Sequence, residues 1–158
     1  MPDLHTARLL LHSLTVAEAT ALVEGEALSD WPFADGFPLP DTPDGVRLFL
    51  RHGDRDFGVH LVVRSEDGLV IGDGGFFGPP VDGAVTIGYE IVPVARRQGF
   101  ATEAIVALAG WALGQPGVSE VRAETWPENE PSIRALLRAG FSERARGERV
   151  RRFALSAG

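Results

Sequence analysis

Residues 84–113 constrain the fold of this chain more than any other stretch. Ala84 to Val94 is an extended, largely apolar run, and Arg96-Arg97-Gln98-Gly99-Phe100-Ala101 follows it. From Thr102 to Leu113 the apolar residues Ile105, Leu108, Ala109 and Ala112 recur at helical spacing. A strand that feeds a helix through a glycine turn commits the chain to a sheet with a helix packed on it. The turn also carries chemistry. The first N–H groups of a helix have no intrahelical partner, and the helix dipole adds partial positive charge there, so an anion is favoured at this point. Gly99 and Ala101 let an anion approach the backbone, and Arg96 and Arg97 bring cations to it. Taken alone, the six residues also fit a plain surface turn with solvated arginines.

The remaining segments complete an α/β pattern. Leu9 to Ser13 reads as a strand, and Thr15 to Glu26 as a helix with Thr15 and Glu18 as a capping box. Trp31 to Pro40 is too rich in proline for a regular element, and Asp44 to His52 reads as a short helix. Phe57 to Arg64 and Leu69 to Phe77 form a hairpin turning at Ser65-Glu66-Asp67-Gly68, with Gly72, Gly74 and Gly75 predicting a bulge or a close backbone approach. Ser119 to Trp126 is a strand, and Pro131 to Ala139 a helix with proline near its start and Gly140 just past its end. Phe141 to Arg146 and Glu148 to Ser156 close the chain as a hairpin. The expectation is one domain over residues 1–158: a single mixed, mostly antiparallel sheet with helices on both faces.

Composition removes several functions. There is no cysteine, so disulfides, thiolate metal ligands and a cysteinyl acyl intermediate are excluded. The four histidines show no ligand spacing, and no metal is expected. A net charge of −7 disfavours nucleic acid as a partner. No apolar run approaches the roughly 18 residues that span a bilayer. Met1-Pro2-Asp3 does not open a secretory signal, so cytoplasmic residence is expected. All fifteen basic residues are arginine, which with many Ala, Gly, Pro and Val points to a GC-rich, bacterial coding sequence. The arginines from Arg144 to Arg152 are interleaved with Glu148 and read as a solvated strand pair.

Arg96-x-x-Gly99-x-Ala101 resembles the pyrophosphate loop of the GCN5-related N-acetyltransferases, the GNAT superfamily. Asn129-x-x-Ser132, a short helix, then Gly140-Phe141 resembles that family's later signature. Thr6-x-Arg8-Leu9-x-Leu11 resembles the opening strand of its Rim-type branch, which acetylates ribosomal-protein N-termini. The resemblance implies a GNAT-like fold and acetyl-CoA as co-substrate, transferring directly to a primary amine. The amine would be a protein N-terminus, ribosomal or other, or a small molecule. Dimers are common in the superfamily, which leaves a homodimer open. On the cofactor side it implies backbone contacts from Ile91, Val92 and Val94, with a free N–H near Val92 or Val94 polarising the thioester. Pro93 has no N–H to give. The phosphates would lie on Arg96, Arg97, Gln98, Gly99, Phe100, Ala101 and Thr102, and Asn129 would bond the cofactor arm or a water.

Such a transfer needs a base for the amine, donors for the oxyanion and a proton for the leaving thiolate. Glu124, at the family's base position, is the first candidate base, and Glu90 the alternative. Both sit in apolar strands, where burial would raise a carboxylate pKa, and a paired structural carboxylate is the other reading of each. The helical tyrosine of many relatives is replaced here by Leu136. Ser132 stands where Rim-type relatives carry a serine for the acid role, though it also fits as a first-turn cap, and Asn129 as the N-cap. Trp31, Phe33 and Phe37, with Asp35 drawing the cationic amine, are the acceptor-side candidates, or else a satellite hydrophobic cluster. The rival functions are a non-catalytic acyl-CoA-binding module and an enzyme using a larger donor such as succinyl-CoA.

Overall fold

The computed structural model describes residues 1–53 and 56–157. In chain order the elements are β1 (Leu4–His5), β2 (Leu9–Ser13), α1 (Val16–Val23), α2 (Thr42–His52), β3 (Val59–Arg64), β4 (Val70–Phe76), β5 (Ala84–Ile91), α3 (Phe100–Leu113), β6 (Glu120–Thr125), α4 (Glu130–Arg138), β7 (Ser142–Arg146) and β8 (Arg151–Ser156). The strands make one eight-stranded sheet in the order β1-β2-β3-β4-β5-β6-β8-β7. Every neighbouring pair is antiparallel except β5 and β6. The mixed, mostly antiparallel sheet read from the sequence is therefore the observed one.

Helices cover both faces. On one face the Thr42 hydroxyl, in the first turn of α2, reaches Asp73 of β4. On the other, a Cβ at Gly74 would touch Leu108 of α3 at 3.4 Å, and α4 contacts α3. Helix α3 fits closely because Ala104, Ala109 and Ala112 face inward beside Ile105 and Leu108, all buried. The capping box at α1 is present: Glu18 N–H donates to the Thr15 hydroxyl at 3.1 Å, and Thr15 N–H to the Glu18 carboxylate at 2.9 Å.

Several boundaries differ from expectation, α1 ending at Val23, α2 starting at Thr42 and β3 at Val59, and three more bear on the site or the last hairpin. The strand expected to reach Val94 stops at Ile91, because Pro93 cannot donate to a ladder and opens a single 3-10 turn, Pro93–Ala95. Helix α3 starts at Phe100 rather than Thr102, since Gly99 in the left-handed region (φ 82°) already serves as its N-cap. The last strand begins at Arg151, not Glu148.

The glycines of β4 serve a close approach. The pairing of β3 with β4 slips by one residue between Val62 and Val63. A Cβ at Gly72 would lie 2.1 Å from the Glu90 carbonyl oxygen, so only glycine lets β4 and β5 close at this point. That register sets Asp73 directly opposite Glu90. Among the described residues no helix is long and apolar enough to cross a membrane.

Candidate active site

The parallel pair at the centre of the sheet does not stay paired. β5 and β6 run together from Ala84–Glu120 to Ile87–Ala123. Beyond that point β5 continues along β4 to Ile91, and β6 continues along β8 to Thr125. A gap opens between their C-terminal ends. Which backbone groups face it follows from the period of two along a strand. Thr86 C=O accepts from Phe77, and Val92 N–H donates to Ile71 O at 2.8 Å, so even-numbered residues turn their peptide groups toward β4. The groups that face the gap are those of Tyr89 and Ile91. Of the two donors expected, Val92 and Val94, the Val92 N–H is engaged on the far side, with its side chain fully buried, while Val94 is exposed in the turn that follows.

The gap leads to the N-terminus of α3. Arg97 (φ 64°) and Gly99 (φ 82°) hold left-handed conformations in the turn. Arg96 crosses back, its Nε donating to the Ile91 carbonyl at 2.9 Å, which ties the turn to the end of β5. Arg96, Arg97 and Gln98 are exposed, and Ala101 and Thr102 are half-buried in the first helical turn. The Phe100 side chain is buried, so this residue presents only its backbone. Glu103, also in that first turn, would oppose an anion. Its carboxylate is instead held by the Thr6 hydroxyl, the Arg8 N–H and the Arg8 guanidinium.

A cleft of about 870 Å³ opens between α2, the ends of β5 and β6, and the start of α4. Among the described residues lining it, the charged ones are Asp41, Asp44, Arg51, Asp73, Glu90 and Glu124. Asp73 and Glu90 share one hydroxyl: Thr42 Oγ1 lies 2.6 Å from Asp73 and 3.3 Å from Glu90, while accepting the Leu39 N–H at 3.0 Å. Burial, reinforced by the Glu90 charge, pushes the Asp73 carboxyl up to about 8, so it holds its proton at neutral pH. Burial, with repulsion from Asp41, also raises Glu90 above the ordinary carboxylate range. Glu124 differs. Its side chain is 53% exposed and pairs with Arg152 at 3.1 Å. The burial expected of Glu124 is absent; it lines the cleft as a solvated carboxylate.

On the other wall, the Tyr89 hydroxyl meets the Ser132 hydroxyl at 2.7 Å. Asn129 caps α4, its Oδ1 accepting the Ser132 N–H at 3.3 Å, which leaves the Ser132 side chain turned to Tyr89. Burial raises the Tyr89 phenol to about 12, so it carries its proton throughout the physiological range. Leu136, which stands at the position of the helical tyrosine named above, is fully buried in the core.

The aromatic segment lies elsewhere. Trp31 stacks on His12 and donates its indole N–H to Glu18 at 2.9 Å. Phe33 packs edge-on against Phe37, which is buried, and Asp35 is exposed. None of the four lines the cleft. The segment supports the site from behind: Gly36 sits against Val92 and Pro93, and Leu39 holds the Thr42 hydroxyl. Sequence reasoning missed Asp73 and Thr42. The visible signal for Asp73 was a lone carboxylate within a glycine-rich, otherwise apolar strand.

Comparison with known proteins identifies the family and the fold. The family described as the acetyltransferase (GNAT) domain matches residues 8–142. An uncharacterized N-acetyltransferase of Bacillus subtilis (strain 168), YjdG, is 29% identical over 117 residues, which is 73% of this chain and 69% of the relative. Among solved structures, the ribosomal-protein-S5-alanine acetyltransferase of Vibrio fischeri superimposes with a TM-score of 0.71 at 14% identity, covering 98% of this chain and 96% of the other. RimL, a ribosomal L7/L12 α-N-protein acetyltransferase solved with coenzyme A, does so with a TM-score of 0.71 at 16% identity, covering 98% and 97%. At these identities the structural matches establish the fold.

Proposed function

Because the chain belongs to the GNAT acetyltransferase family, we propose that it moves an acetyl group from acetyl-CoA directly onto a primary amine. The observation that carries the reading is the splayed β5–β6 pair leading to the glycine-capped N-terminus of α3. The gap supplies the peptide groups of Tyr89 and the N–H of Ile91 for an extended amide-bearing arm, and the helix end supplies N–H groups for its phosphates. Arg97 and Gln98 add exposed polar side chains there. Bound acetyl-CoA supplies an activated thioester carbonyl.

The residues around the gap divide the proton work. An alkylammonium must lose a proton before its nitrogen can attack. Glu90 takes it, because its raised pKa makes it a stronger base than an ordinary carboxylate and it faces the cleft. Asp73 stays protonated beside it, so the pair carries one negative charge rather than two. Tyr89 and Ser132 form the donor side, the phenol proton reaching the departing sulfur directly or through the serine hydroxyl, and the second proton that the nitrogen sheds after attack restores the phenol. The thiol of such a donor resembles cysteine, with a pKa of roughly 8.5, so a hydrogen bond in the transition state suffices. The acidic lining of the cleft favours a cationic acceptor. Resemblance to the Rim-type branch favours a protein N-terminus over a small amine.

The test is release of free thiol from acetyl-CoA, with ribosomal-protein N-terminal peptides and small amines as acceptors. Release that depends on an amine, with no acetylated protein trapped, is the expected result. Binding of acetyl-CoA without release for any amine would leave only an acyl-CoA-binding module. Tyr89→Phe is expected to lower kcat by about 10-fold or more, and Ser132→Ala by less. Because the two hydroxyls act as one unit, the double variant should lose little more than Tyr89→Phe alone. Additive losses in steady-state kinetics would show that they act separately.

A further inference from the structure

We propose that Arg8 orients the anion-binding turn: by holding the Gln98 carbonyl it aims the Gly99 N–H outward, toward the phosphates of the acyl donor. The inference rests on reading that turn as the acyl-CoA site. Arg8 lies just before β2, 90 residues from Gln98 in the chain. Its own carbonyl is fixed by the Ser65 N–H at 2.9 Å, so it projects from an anchored backbone. Its guanidinium makes two directed bonds, Nη1 to the Gln98 carbonyl at 2.8 Å and Nε to Glu103 at 2.8 Å. The plane of the group lies over the Phe100 ring, 4.3 Å from its centroid. A rigid fork held at three points leaves the Gln98 oxygen little freedom.

The consequence comes from peptide geometry. The C=O and N–H of one trans peptide lie in a plane and point in opposite directions. With the Gln98 oxygen drawn back toward Arg8, the Gly99 N–H points away from it, to the front of the turn. Arg8 also lies close to Gly99, since a Cβ there would come within 3.3 Å of Nη2. A second effect runs alongside. The same guanidinium, with the Thr6 hydroxyl, occupies the Glu103 carboxylate and holds its pKa down despite partial burial. Lysine cannot reproduce this, because one ammonium does not span both acceptors in a fixed plane.

The test uses CoA as probe and Arg8→Met, which keeps length and removes the donors. Loss of a charge-assisted bond predicts a rise of about 10-fold in the Kd for CoA by calorimetry. The KM for acetyl-CoA should rise similarly, with the KM for the amine unchanged. In amide NMR spectra the Gly99 resonance should shift less at CoA saturation than in the wild type. Arg8→Lys should fall between the two. An Arg8→Met protein that binds CoA like wild type overturns the proposal. So does full recovery of affinity in Arg8→Met/Glu103→Gln, which would reduce Arg8 to cancelling one charge. If Arg8→Met fails to fold by circular dichroism, Arg8→Lys carries the same comparison. A wild-type protein that does not bind CoA overturns the donor reading instead.

Discussion

Glu90→Gln should lower kcat/KM by about 100-fold or more near neutral pH while leaving CoA affinity within about twofold. The amide keeps the shape and the contact with Thr42 but cannot accept a proton. The pH dependence gives the sign. The carboxylate works only when ionised, and burial and Asp41 raise its pKa. Wild-type activity should therefore fall on acidification at a pH above the usual carboxylate range, as Glu90 gains its proton. In Glu90→Gln that limb should vanish, and the deficit should shrink at high pH, where the free amine arrives already deprotonated. Glu124→Gln is the control. Its carboxylate is exposed and paired with Arg152, so its loss should cost less than about 10-fold. A crippled Glu124→Gln beside an active Glu90→Gln would assign the base to the wet carboxylate after all.

Gly99→Glu should weaken CoA binding by more than about 100-fold, by two independent routes. At φ 82° a side chain is strained, and the turn can relieve that strain only by shifting the N–H groups that face the phosphates. The new carboxylate would also stand at the helix N-terminus, where an incoming phosphate would meet like charge. Gly99→Ala carries the first effect alone and should lose less. Both proteins should melt within a few degrees of the wild type, because Gly99 is exposed and a Cβ there would meet the end of the Arg8 side chain, at 3.3 Å, rather than any backbone. Calorimetry beside a thermal melt separates binding from folding, and unchanged affinity in Gly99→Glu would remove the phosphate assignment.

How much of this was readable beforehand depended on locality. The turn at Arg96–Ala101, the Thr15 capping box and the Asn129 cap are each decided by a few adjacent residues, and each was found. The different burial of the two carboxylates was not, because burial is set by neighbours distant in the chain. Even so, a signal was present. Glu120, Arg122 and Glu124 alternate with Val121, Ala123 and Thr125, so Glu124 belongs to the strand's polar face. Glu90 instead falls opposite Asp73 and under Thr42, a meeting of three segments that no local pattern announces. The same holds for Tyr89 and Ser132, 43 residues apart in the chain. The aromatic segment carried two readings for a physical reason: large side chains near a loop serve a core as readily as a ligand, and Phe37 went to the core.

The short seam between β5 and β6 has a meaning for the molecule as a material. Strands β1–β5 form one block and β6–β8 another, joined within the sheet, among the described residues, only where Ala84–Ile87 meets Glu120–Ala123. A crack that starts at the cleft mouth has few hydrogen bonds to break before it divides the sheet. Protection of backbone amides against exchange should therefore be lowest along this line and highest deep within each block. A ligand seated across the gap bridges the two blocks and stabilises the folded form by mass action, in proportion to the logarithm of its concentration over Kd. The supply of acyl donor would then govern the lifetime of the folded chain as well as its rate of turnover.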